Sequence, residues 1–202
     1  MRDYVRDRLS IAASDSTKQT QIDTLLNIEY RRLCAEERLN IERTTLTAVA
    51  GSQLVDLPND WVETLTFTWG TSTVQPVTFD EFARLDAQEG DAGGIVYYQE
   101  SPERVRVYPT PNATNLSQMT LWYVARPDAM ASDNDSPSAL PFEYHDLLAE
   151  SVVYRIAMSE EMFESAQYAR ATADELRSRM AGHMRRRQGS GASRVVLKVY
   201  DQ

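Results

Sequence analysis

Apolar positions along the chain follow two periods, and the switch between them happens twice. Val5, Leu9 and Ala12 form a short stripe at helical spacing. After a polar run at 15–19, Ile22, Leu25, Leu26, Tyr30, Leu33 and Cys34 recur three and four residues apart. This predicts helix over roughly residues 3–40, with Ser16 and Gln19 spaced as a capping box that opens the second segment. From about 44 to 126 the period falls to two. Segments 44–48 and 53–57 flank Gly51-Ser52, a hairpin signal. Segment 62–69 is rich in β-branched and aromatic residues, and the turn at 70–73 sends the chain back through 74–78. Residues 79–86 interrupt with a short helix bearing Phe79, Phe82 and Leu85 on one face. Gly93-Gly94 opens a strand at 95–99, and Ser101-Pro102 turns it into 104–108. In the last strand Met119, Leu121 and Tyr123 alternate with Trp122 and Val124, the pattern of a half-buried strand.

Residues 127–140 read as a polar linker, and Pro141 stands where a first-turn proline is tolerated. Leu148, Val152 and Ile156, with Ala149 and Val153 beside them, give a wide apolar helical face. Met162, Ala166, Ala169, Ala173, Leu176 and Met180 are spaced as the seam of a close helix pair, the alanines letting two backbones approach. The expected unit is a helical hairpin, 141–158 against 160–187. The fold class is therefore α+β. A helical bundle from 1–42 and 139–188 carries an inserted antiparallel β-sandwich or barrel of six or seven strands at 43–130. An extended C-terminal arm follows at 189–202. In that arm, 188–193 has linker composition, and 194–200 is a short strand that needs another strand to pair with.

Charge narrows the function classes. The 202 residues carry a net charge of −9, opposite to what broad phosphate-backbone binding requires. The excess is uneven. Residues 1–40 sum to 0, residues 41–130 to −7 and residues 131–202 to −2. Against that background Arg177, Arg179, Arg185, Arg186, Arg187, Arg194 and Lys198 form a basic run with no acid until Asp201. A single cysteine and two histidines exclude a disulfide framework and a multi-Cys or His-rich metal centre. No apolar run is long enough for a membrane helix, and no secretion signal opens the chain, so a reducing, cytosol-like compartment is expected. The sequons at Asn112, Asn115 and Asn134 then read as chance matches in polar loops.

Enzyme templates fail. No nucleophile elbow, Walker loop, zincin motif or dinucleotide fingerprint is present. Cys34 sits on an apolar helical face and reads as an inert core thiol. His145 and Asp146 are adjacent on a helix and do not face each other, and His183 lies among arginines. Glu36-Glu37, Asp60 with Glu63, and Glu160-Glu161 are carboxylate pairs of the kind a glycosidase uses across a sugar, but such pairs arise by chance among thirty acids. Trp61, Trp69 and Trp122 read as core or contact residues of the β segment.

The order of these signals resembles the head-to-tail adaptors (connectors) of tailed bacteriophages. It is closest in layout to the long tubular adaptors that place a β domain within a helical bundle. The resemblance rests on Leu25-Leu26-Asn27-Ile28-Glu29-Tyr30, Val55-Asp56-Leu57-Pro58-Asn59-Asp60-Trp61, Val105-Arg106-Val107-Tyr108-Pro109-Thr110-Pro111, Leu121-Trp122-Tyr123, and Leu140-Pro141-Phe142-Glu143-Tyr144-His145-Asp146-Leu147-Leu148. It implies a homo-oligomeric ring, typically twelve-fold, beneath the portal protein. Such a ring extends the DNA channel, provides the site for a tail or stopper protein, and is a virion neck component assembled in the host cytoplasm. It implies no catalysis, cofactor or metal. An arm ordered on portal binding is a feature of such adaptors, which makes Arg185, Arg186, Arg187, Arg194, Val195, Leu197, Lys198, Val199 and Tyr200 the expected portal-binding residues. Glu29, Glu36 and Glu37 are the expected channel-facing acids, which would repel passing DNA without binding it. Two other readings stay open: a tail-completion or chaperone-like interaction protein, and a peptidoglycan hydrolase using a carboxylate pair.

Overall fold

A computed structural model describes residues 1–88, 94–112, 119–131 and 135–196, with side chains to residue 184 and none at 88. Two compact units emerge. One contains residues 1–37 with 128–202; the other contains residues 38–127.

The first unit is helical. α1 (Arg2–Leu9) is short, and it ends with Ser10 in the left-handed region at φ 53°. α2 (Ser16–Glu37) starts one residue after Asp15, whose carboxylate accepts from the Lys18 amide at 3.0 Å. The cap is thus Asp15 rather than the expected Ser16–Gln19 box, because the residue directly outside the first turn has the better angle onto an orphan N–H. α2 stops at Glu37, short of the expected end near Asn40, and Arg38 takes φ 51°. Ile22, Leu26, Tyr30, Leu33 and Cys34 are buried. Burial pushes the Cys34 thiol up to about 11.

A 3₁₀ turn (Phe142–Tyr144) leads into α4 (His145–Ser159), and α5 (Phe163–Val196) follows after a three-residue break in which Glu161 has φ 60°. α4 packs chiefly on α5 and also on α1 and α2. Its Leu148, Val152, Val153 and Ile156 are buried, as are Ala166, Ala169, Ala173 and Met180 of α5. The alanine seam read from the spacing is buried as a seam. Tyr144 before α4 and His183 late in α5 lie 3.1 Å apart, hydroxyl to Nδ1, so the two helices run antiparallel.

Polar clamps tie the returning chain to this unit. Asn27 donates from Nδ2 to the Met130 carbonyl at 3.1 Å and accepts from the Met130 amide at 2.7 Å. The Tyr30 hydroxyl accepts from the Ala139 amide at 2.8 Å. Buried Arg2 pairs with Asp23. Glu150, 1% exposed, accepts from the Tyr4 hydroxyl, and burial followed by this carboxylate pushes that phenol up to about 12.

The second unit holds two four-stranded sheets and the helix α3 (Phe79–Gln88). One sheet has the order β1 (Ile41–Leu46), β8 (Met119–Ala125), β3 (Trp61–Trp69), β4 (Ser72–Thr73). The other has the order β2 (Leu54–Asp56), β7 (Arg104–Tyr108), β6 (Val96–Ser101), β5 (Gln75–Pro76). Leu46, Val55, Phe67, Trp69, Val105, Val107, Met119, Leu121 and Tyr123, drawn from both sheets, form one core. The alternation in β8 follows the sequence reading at its centre: Leu121 and Tyr123 face the core while Trp122 is 44% exposed beside the Arg43 guanidinium.

Three expectations change. Segments 44–48 and 53–57 do not form a hairpin. They share only the Ala48–Val55 bridge, and β1 and β2 pair instead with β8 and β7 of different sheets. Gly51 has φ 79° and turns the chain between sheets. The strand expected at 74–78 is only the two-residue β5, which runs parallel to β6, while β4 at Ser72–Thr73 forms within the expected turn and pairs back on β3. At the C-terminus, 188–193 is helical, as are Arg194, Val195 and Val196, where a linker and strand are expected. Two glycines each cost about 1 kcal/mol in a helix, which is too little to stop one already propagated from a long, packed segment. Residues 197–202 lie outside the described residues.

Candidate functional site

The charged side chains of the helical unit converge on one cluster. Glu29 is 2% exposed on α2, and its carboxylate is shared by two guanidinia: Arg32 at 2.6 Å, one turn on, and Arg155 of α4. A buried carboxylate is tolerated only when paired, and this one is paired twice. Arg32 also reaches Glu36 at 3.7 Å. Arg177 of α5 donates to Glu36 at 2.8 Å and lies 3.9 Å from Glu37. Arg170, one heptad before Arg177 on α5, sits 3.8 Å from Asp174 and over the Tyr154 ring.

A cavity of about 280 Å³ opens against this network. Its wall contains Arg32, Arg155, Arg170 and Arg177, with Asp174 the single acid, alongside Tyr154 and Ser151. The three glutamates stand behind the guanidinia and orient them. The arrangement is suited to holding an oxyanion, because the planar guanidinium fork matches a carboxylate or phosphate edge.

Glu29, Glu36 and Glu37, expected at a channel wall, thus come together in this network, each facing arginine within the same unit. Among the expected portal-binding residues, Arg185, Arg186, Arg187, Arg194 and Val195 lie on the backbone of α5, while Leu197, Lys198, Val199 and Tyr200 lie outside the described residues. The other carboxylate pairs do not face each other across open space. Glu63 is held by Arg38 at 2.5 and 3.0 Å, Asp60 accepts from the Tyr123 hydroxyl at 3.2 Å, and Glu160 pairs with Lys18. Burial, then Asp60, raises the Tyr123 phenol. His145 Nε2 lies 3.1 Å from the Leu140 carbonyl. Among the described residues no three His, Cys, Asp or Glu side chains are grouped to hold a metal ion, and no helix is long and apolar enough to cross a membrane.

Sequence reasoning passed over Arg32, Arg155 and Arg170. A signal existed for two of them. Glu29, Arg32 and Glu36 are spaced three and four apart, and Arg170 and Arg177 fall one heptad apart on the edge of the alanine seam. Arg155 carries no local mark, since only the docking of α4 on α2 brings it to Glu29.

Comparison with curated proteins finds no match. The family described as SU10 adaptor protein, by contrast, matches residues 1–196, both arms of the helical unit and all of the β unit. The chain belongs to the SU10 adaptor protein family, a family of phage head-to-tail adaptors.

Proposed function

We propose that this phage adaptor assembles as a ring, typically twelve-fold, under the portal, extends the DNA channel and presents the attachment site for the next tail or stopper component. On this reading its helical unit is a bundle and its β unit a sandwich inserted in that bundle. The proposal assigns no catalytic step. Family membership supports a role built on contacts with other head and tail proteins.

The observation that carries the portal-facing part is the length of α5. Its partner α4 has 15 residues, whereas α5 has 34. The hairpin closes where Tyr144 meets His183, and α5 continues thirteen residues farther, to Val196. At 1.5 Å per residue that is about 20 Å of helix beyond the hairpin's end. Arg185, Arg186, Arg187 and Arg194 are carried on this stretch. A basic helical end running on into 197–202 suits an acidic groove on a partner protein, through helix docking or strand addition by its last residues. Overall acidity favours letting DNA pass without holding it.

Truncation after residue 188 tests this. Co-sedimentation with purified portal rings is expected to be lost, while the circular dichroism spectrum shows a folded chain. Unchanged portal binding by the truncated chain contradicts the proposal.

A further inference from the structure

We infer that the arginine-lined cavity is a docking site for one carboxylate side chain of a second copy of this chain, supplied by that copy's acidic 41–130 region. The inference rests on the ring reading above and names one of its contacts.

The wall chemistry selects the ligand. Four guanidinia and one carboxylate face the space, and each guanidinium has five N–H donors, of which the network engages a minority. Arg170 is the least committed: its side chain is 68% exposed, and among the described residues it meets Asp174 and the face of Tyr154. The acids behind the wall decide what charge fits. Glu29, Glu36, Glu37 and Asp174 balance the four arginines, so the cluster as a whole is neutral. A neutral cluster with oriented donors suits a monoanion that accepts two parallel hydrogen bonds. It suits a multiply charged phosphate or a nucleic-acid backbone poorly, because nothing compensates the added charge.

The oriented donors of the wall, four guanidinia against one carboxylate, take an acidic side chain of the neighbouring copy as occupant. Residues 41–130 carry a net charge of −7. Asp80, at the start of α3, and Glu103, in the turn between β6 and β7, are exposed and have no side-chain partner among the described residues. Phe79, beside Asp80, is an exposed aromatic that such a contact would cover. In a closed ring each contact joins two different patches of the chain, the kind of contact this pairing requires.

Sedimentation velocity of the full chain, alone and with portal rings, tests this with three proteins: wild type, Arg170→Glu, and Arg170→Glu combined with Asp80→Lys and Glu103→Lys. Arg170→Glu is expected to weaken assembly at least tenfold, and the combined variant to recover most of that loss. Equal assembly of wild type and Arg170→Glu overturns the inference and leaves the ring standing. Weakening without recovery overturns the assignment of the acidic region as occupant. A wild-type chain that stays monomeric both alone and on portal overturns the ring and the inference together. Calorimetric binding of inorganic phosphate that Arg170→Glu abolishes, with assembly unchanged, marks the cavity as a small-anion site and overturns the inference.

Discussion

Glu29 on α2 and Arg155 on α4 form an ion pair whose acid is almost wholly buried and whose base is partly exposed. The two sides of the pair should therefore respond differently to mutation. Glu29→Gln leaves Arg155 and Arg32 facing a neutral amide and is expected to cost about 1–3 kcal/mol. Arg155→Gln leaves Glu29 still held by Arg32 and should cost less. Urea unfolding measures both. A larger loss for Arg155→Gln contradicts the description of Glu29 as the shared centre.

The hairpin of α4 and α5 depends on small side chains at its seam. Ala169 has no exposed surface, and it lies between Ala166 and Ala173. Ala169→Leu forces three extra heavy atoms into closed packing and is expected to destabilise by about 1–3 kcal/mol. Ala171→Leu, on the exposed side of the same helix, should change stability by less than about 0.5 kcal/mol. Paired thermal or urea melts check the contrast.

Alkaline pH should destabilise the protein through two neutral acids, buried Cys34 and the partly desolvated Tyr4, whose protons the fold retains. Burial raises Cys34 to about 11 from an ordinary value of 9.0, and Tyr4 to about 12 from 10.0. The folded state therefore keeps protons that the unfolded state loses. Each contribution is complete below the unfolded value and is lost as pH rises, from 9.0 to about 11 for Cys34 and from 10.0 to about 12 for Tyr4. Urea midpoints are expected to fall steadily above pH 9, and Cys34→Ser should remove the lower part of that fall. Under native conditions at pH 8 the thiol is expected to resist a thiol reagent and to react within the mixing time in denaturant.

Residues 189–193 are helical in α5 despite Gly189 and Gly191. Replacing both by alanine should stabilise that stretch by about 1 kcal/mol per site and raise helical ellipticity. An unchanged spectrum would match a linker, not a helix.

Where the sequence was legible, the reason is local. The 4-3-4-3-4 spacing from Met162 to Met180 is a property of one helix, and the burial of Ala166, Ala169, Ala173 and Met180 follows from it. The alternation of Leu121 and Tyr123 against Trp122 is likewise a property of one strand. Pairing is not local. Gly51-Ser52 looks like a hairpin turn, yet β1 and β2 join different sheets, because their partners β8 and β7 lie far along the chain. The same limit hid the arginine cavity: Glu29 and Arg155 are unremarkable until α4 packs on α2. Glu29, Glu36 and Glu37 are expected at a channel wall, and their pairing with Arg32, Arg155 and Arg177 from three helices depends on the same long-range packing.

The central claim is that this adaptor joins a portal as a closed ring through the basic end of α5. Native mass spectrometry of portal rings mixed with the full chain tests it most directly. The account predicts a single complex with one adaptor per portal subunit, twelve on a twelve-fold portal, and none with the chain truncated after residue 188. A portal that binds no adaptor, or binds the truncated chain equally well, contradicts it.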